Sequence, residues 1–168
     1  RLFFAFFERT LLLVKYKHNL LFYKRQIDDI FAIWLPSNDP QAWSAFKQDL
    51  NLCSNLTWNT EPLSKSVNFL DLTLTIQDDG MIHSSTYQKP MNLFLYIPAH
   101  SAHPPGVFKS LIFGLIRKYH FQNTSPASFQ KNLSLLFRRL LHRGHNREDL
   151  LPLFHSAALR LPPRRRIF

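Results

Sequence analysis

The chain has 168 residues, 45% of them hydrophobic, with 16 Phe, 11 Pro, 4 Gly and a single Cys. That content suffices for one core, or for a domain with an appendage, and excludes a disordered chain. Cys53 alone excludes an internal disulfide and fits a reducing compartment. Glu8-Arg9 interrupts the first apolar run, so no stretch reaches membrane-span length and Arg1–Val14 makes a poor secretory signal. An intracellular protein, nuclear or cytoplasmic and without a membrane partner, is expected. The chain starts at Arg1 with no initiator Met and enters an apolar segment directly, which reads as a fragment.

The net charge of +10 is unevenly placed. Nine basic residues match nine acidic ones over residues 1–108, whereas 109–168 hold twelve basic residues against only Glu148 and Asp149. A polyanion partner for the last third is implied.

In chain order, Phe3, Phe7, Leu11 and Val14 recur at near-helical spacing and predict a buried helix over 1–14. Two apolar runs follow, Leu20–Tyr23 and Ile30–Leu35, and between them stand Lys24-Arg25-Gln26-Ile27-Asp28-Asp29. If both runs are strands, the acidic pair lies at the turn of a tight hairpin. Adjacent strand side chains face opposite ways, so the two aspartates serve different roles. An exposed carboxylate at such a tip suits a magnesium or manganese ion with phosphate oxygens as further ligands. An Asx-type turn with solvated charges is the other reading of an Asp-Asp dipeptide.

Ser37-Asn38-Asp39-Pro40 predicts a helix start with Asp39 as N-cap, and Trp43, Phe46, Leu50 and Cys53 mark its buried stripe. Leu56–Asn59 reads as a short strand. Val67–Ile76 reads as the clearest strand, which places Asp71 in mid-strand, on a cleft or on a plain exposed sheet face. Asp78-Asp79-Gly80 supplies a turn, and Met81–Gln88 returns as the hairpin partner. His100 and His103 lack a partner Cys or a nearby carboxylate, which argues against zinc. Val107–Phe121 predicts a helix with Phe108, Ile112, Leu115 and Tyr119 inward. Ser125-Pro126 opens a second with Phe129, Leu133, Leu136 and Leu140 inward, ending near Gly144. Asn146–Asp149 starts a third through Leu159, and Pro162–Arg166 is a basic tail. The fold expected is α+β: an antiparallel sheet with helices on one face, then a basic helical segment.

Several of these segments, taken in order, resemble reverse transcriptases of Penelope-like retroelements, which are related to telomerase reverse transcriptase. The resemblance is carried by Arg25-Gln26-Ile27-Asp28-Asp29-Ile30-Phe31 with Ile33-Trp34, by Asn68-Phe69-Leu70-Asp71-Leu72, and by Gly80 with Ser84 through Asn92. Tyr96-Ile97, Ser101-Ala102-His103-Pro104, Gly114, Arg117 and His142-Arg143-Gly144 continue it. It implies a palm remnant over 1–91, a helical thumb or helix-turn-helix-like segment over 92–160, and a basic tail over 161–168. It also implies two-metal nucleotidyl transfer, with Asp28 as one ligand of Mg2+ or Mn2+ and Asp29 as the second carboxylate. The partners implied are an RNA template and a DNA primer.

The same resemblance assigns nucleic-acid contact to Arg25, Gln26, Lys89, Lys109, Arg117, Lys118, Arg138, Arg139 and Arg143. The family usually has an aromatic residue where Gln26 stands, and another where His145 stands. Its second metal-binding aspartate lies on an earlier strand, after the fingers, so this chain is expected to lack polymerase activity by itself, and the metal would need that missing aspartate. Two further readings stay open: a non-catalytic helix-turn-helix module with Ser125–Arg143 as its reading helix, and a degenerate retroelement remnant.

Overall fold

The computed structural model describes residues 2–36, 38–54 and 57–163, with the backbone alone for Leu2, Phe3, Cys53, Ser54 and Pro105. The expectations placed on Phe3, Ser37, Cys53 and Arg164–Arg166 lie outside the described side chains. The chain is α+β with antiparallel sheets and C-terminal helices. It divides into two compact units, Arg1–Ser64 and Lys65–Phe168.

In the first unit, α1 (Leu2–Phe7) runs through a π-helical stretch (Glu8–Leu12) into α2 (Leu13–Lys15). The Leu13 N–H donates five residues back to the Glu8 carbonyl, which widens the turn. The buried residues therefore recur every four positions, at Phe4, Glu8, Leu12 and Tyr16. This corrects the predicted stripe: Leu11 and Val14 are 54% and 59% exposed.

Strands β1 (Leu20–Gln26) and β2 (Asp29–Trp34) pair antiparallel with Gln26 opposite Asp29, which leaves Ile27-Asp28 as a two-residue loop. The hairpin expected around the acidic pair is present. Asp39 accepts from the Gln41 N–H as an N-cap does, and α3 (Ala42–Ser54) follows. Phe46 and Leu50 of α3 close a core with Phe4, Leu12 and Tyr16. Trp34, Trp43 and Phe46 stand ring against ring at 5.1–5.6 Å, so much of this core is aromatic. Thr57–Asn59 is irregular, not the strand expected there.

In the second unit, β3 (Ser66–Phe69), β4 (Leu72–Ile76) and β5 (Ile82–Thr86) form a three-stranded meander. The single strand expected over 67–76 is two strands. The chain reverses at Leu70-Asp71, with Phe69 opposite Leu72, so Asp71 is a turn residue and not mid-strand. Gly80, at φ +79°, makes the predicted second turn.

Helices α4 (Pro105–Gln122), α5 (Pro126–His142) and α6 (Arg147–Leu159) follow. Their core is Ile112, Ile116, Tyr119, Leu136, Leu140, Leu150 and Ala157. Gly144, at φ +88°, ends α5: its N–H donates to the Leu141 carbonyl and the His145 N–H to that of Leu140, a Schellman closure. No helix of the described residues is long and apolar enough to cross a membrane.

Candidate nucleic-acid interface and hairpin carboxylates

The first candidate site is the tip of the β1–β2 hairpin. Ile27 takes φ +59°, which a two-residue loop of this kind asks of its first residue and which glycine ordinarily supplies. A β-branched residue there is strained, and such strain persists only where neighbours impose it. The neighbour is Arg25. Its Nη1 donates to the Ile27 carbonyl at 3.0 Å, while Nε and Nη2 donate to Glu8 Oε1 and Oε2 at 2.8 and 3.1 Å. Glu8 is buried, also accepts from the Tyr23 hydroxyl, and lies under a guanidinium 4.7 Å from the Phe4 ring. Burial, with Glu8 as acceptor, pushes the Tyr23 phenol far above its ordinary pKa.

Asp28 and Asp29 are exposed, and among the described residues neither carboxylate has a hydrogen-bond or ion-pair partner. Gln26 is exposed beside them. The guanidinium of Arg25 is occupied by Glu8 and the turn.

The second unit repeats this turn. Leu70, at φ +55°, precedes Asp71 in the other two-residue loop, so Asp28 and Asp71 hold equivalent hairpin positions. Their surroundings differ: Asp71 Oδ2 accepts from Lys118 Nζ at 2.7 Å on α4. That pair edges a cleft of about 450 Å³, also lined by Tyr87, Gln88, Lys89, Phe94, Tyr96 and Tyr119. Lys89 is exposed there.

Beneath the cleft runs a polar chain. Asn123, buried in the α4–α5 turn, accepts from the Thr86 N–H and donates to the Thr86 hydroxyl and the Tyr119 carbonyl. Asn132 donates to Asn123 and accepts from Gln88, and Gln88 accepts from Arg139 Nη2 at 2.7 Å. The Arg139 guanidinium lies 3.6 Å from the Phe94 ring centroid, with its Nη1 buried and unpartnered among the described residues. Phe94 itself sits at φ +49°.

Arg143 Nε donates to the Tyr96 carbonyl, and His145 Nε2 bonds the Ile97 carbonyl. The His145 ring stacks on Phe108 at 3.9 Å and 6°, so the imidazole lies flat against a ring as an aromatic residue would. Side chains from the end of α5 thus strap the irregular segment 94–97 in place.

The lysines and arginines left over on α4 and α5 are exposed. Lys109 and Arg117 lie on α4, over Phe113 and Phe121. On α5, Ala127, Lys131, Ser134 and Arg138 are exposed at spacings of four, three and four and share one face, which carries no acidic residue. Asn123-Thr124-Ser125 joins α4 to α5 in three residues, the length of a helix-turn-helix connection. The Thr124 N–H donates to the Ser84 carbonyl, and Thr124 Oγ1 accepts from the Ser84 N–H, so the turn is stitched to β5.

A model of the animal helix-turn-helix domain matches residues 95–151. The helix-turn-helix match takes in the strapped segment from Leu95 onward, all of α4 and α5, and the first turn of α6. No curated protein and no solved structure matches the chain.

Of the predicted site residues, the hairpin gathers Arg25, Gln26, Asp28 and Asp29, and the cleft gathers Lys89 and Lys118. Lys109 and Arg117 share α4, while on α5 Arg139 and Arg143, four apart, both turn onto segment 94–97 instead of the solvent face expected of them, and Arg138 is exposed on another side. Asn123, Asn132 and Phe94 went unread in the sequence, and Glu8 was read only as a break in the first apolar run. A buried glutamate inside an apolar helix was the one available signal for Glu8.

Proposed function

We propose that this chain is a nucleic-acid-binding protein that docks through the helix-turn-helix region of its second unit, with α5 laid against the phosphate backbone of a duplex. The observation that carries this is the α5 face. Lys131 and Arg138 stand exposed on it with small neighbours and no carboxylate, on a helix fixed by its turn to a sheet. Small side chains let a backbone approach, and the cations displace condensed counterions. The match over residues 95–151 supports the same region.

The test is fluorescence anisotropy of labelled duplex DNA and of an RNA–DNA hybrid over a salt series. Replacing Lys131 and Arg138 together by Ala is expected to flatten the slope of log K against log salt by about two. An unchanged slope, or no binding to either duplex, overturns the proposal.

A second reading is favoured by one observation, the pair of unpartnered carboxylates on the hairpin tip. In it the chain is part of a retroelement reverse transcriptase, with Asp28 and Asp29 toward Mg2+ or Mn2+, and with RNA template and DNA primer as partners. Among the described residues no group of three or more His, Cys, Asp or Glu could hold a metal ion. Such ions take about six oxygen ligands. The hairpin by itself therefore supplies a corner of a site, and the further aspartate would come from outside residues 1–168. Paramagnetic broadening of the Asp28 and Asp29 amides by Mn2+, lost in Asp28→Asn, is the expected result. Broadening elsewhere, or none, removes this reading.

A further inference from the structure

Lys109, Phe113, Arg117 and Phe121 recur every four residues along α4, so they form one slowly winding row with a step of about 6 Å. Lys109 Nζ lies 5.7 Å from the centroid of Phe113, and the Arg117 guanidinium 5.7 Å from that of Phe121. Arg160, at the C-cap of α6, brings a second cation to 5.3 Å from Phe113. All three cations are exposed, and among the described residues none pairs with a carboxylate. Phe121 is 52% exposed at the last turn of α4.

The chemistry of this row narrows its partner. A solvated basic face needs cations and no rings, and an apolar docking face needs rings and no cations. A duplex keeps its base faces stacked inside and offers a helix phosphates and base edges, with no open base face for a ring to stack on. A single strand offers both, a phosphate and an unstacked base with each nucleotide. Aromatic rings beside lysine and arginine are what such strands bind, stacking on the ring while the backbone meets the charge.

We propose that the Lys109–Phe113–Arg117–Phe121 row of α4, joined by Arg160 of α6, binds single-stranded nucleic acid, on a surface separate from the duplex-facing side of α5. It does not depend on the duplex reading, because the two faces share no residue.

The test uses the full chain and a labelled twelve-nucleotide single strand, followed by anisotropy. Phe121→Ala is expected to weaken binding roughly five- to a hundredfold, the loss seen when one stacked base loses its ring. Phe121→Leu keeps the apolar bulk and should lose nearly as much, which separates stacking from folding. Phe121→Trp should bind as the parent does, with its added emission quenched by the strand. Arg117→Gln with Lys109→Gln should flatten the salt dependence, and Arg138→Ala should leave single-strand binding unchanged. An abasic strand of equal length should bind at least about tenfold more weakly. Equal affinity for abasic and normal strands, indifference to Phe121→Leu, or equal loss of duplex binding in these variants overturns the proposal. If duplex binding fails and single-strand binding holds, only the α5 assignment falls.

Discussion

Glu8 and Arg25 meet through two parallel hydrogen bonds, Nε to Oε1 at 2.8 Å and Nη2 to Oε2 at 3.1 Å, with side chains 8% and 15% exposed. The pair joins a π-helical turn to the end of β1, and its third donor holds the hairpin loop that carries Asp28. Removing one member leaves a desolvated charge without its counterpart. Glu8→Ala and Arg25→Ala are each expected to destabilise the first unit by about 3 kcal/mol. Trp34, Trp43 and Trp58 are the three tryptophans of the chain and all lie in that unit, so urea titration of tryptophan fluorescence reads it selectively. A loss under about 1 kcal/mol would show the pair to be no more than a surface contact.

The loop itself holds strain. A side chain at the left-handed position of Ile27 costs about 1–2 kcal/mol, and glycine returns part of that as chain entropy. Ile27→Gly should therefore stabilise the first unit by roughly 0.5–1 kcal/mol, seen as a later urea midpoint. Asp28→Asn, at an exposed and unpartnered position, should move the midpoint by less than about 0.5 kcal/mol. A large loss in Asp28→Asn would mean that its carboxylate is used by the turn.

Three shifted groups make stability depend on pH. Hydrogen bonds from Lys15 and Tyr16 hold the Asp49 carboxyl below its ordinary 3.8. A depressed carboxyl contributes stability that is present above 3.8 and lost as pH falls through the folded value. The parent and Asp49→Asn should thus differ in stability near neutrality, with the difference starting to shrink at about pH 3.8 and vanishing only below the depressed folded value. At the other extreme, burial raises the phenols of Tyr23 and Tyr119 above 10.0. Raised groups stabilise below that pH and lose the contribution as pH rises toward the folded value. Their phenolate absorbance should appear only together with unfolding.

Arg138 and Arg139 are neighbours in sequence and opposites in use. Arg138 is exposed, whereas Arg139 donates to Gln88 and covers Phe94. Arg139→Ala strips that hydrogen bond and stacking contact and should cost the second unit about 1–3 kcal/mol, read by circular dichroism on urea titration. Arg138→Ala should leave that transition within about 0.5 kcal/mol and act on duplex affinity alone. The reverse pattern would exchange the two assignments.

These neighbours also show where sequence reading stopped. Turn chemistry was legible wherever a residue has one use: Gly80 and Gly144 at positive φ, Ser125 and Asp39 as caps. The helix stripes of α4 and α5 followed from apolar spacing. The reversal at Leu70-Asp71 did not, because Leu in a left-handed turn keeps the same alternation with Asp, Thr and Leu that a continuous strand shows. Nor did the inward row Phe4, Glu8, Leu12 and Tyr16, since a π turn changes the period without leaving a mark on composition. Glu8–Arg25 and Gln88–Arg139 are contacts between residues far apart in the chain. Pattern alone could not separate a guanidinium facing inward from one facing a phosphate.

The two reciprocal bonds between Thr124 and Ser84 make the α4–α5 corner behave as an added edge on the meander. The start of α5 is thereby tied to the sheet through a backbone and a side-chain hydrogen bond. The helix should meet whatever it docks on at a preset angle, with association governed by collision and not by prior rearrangement.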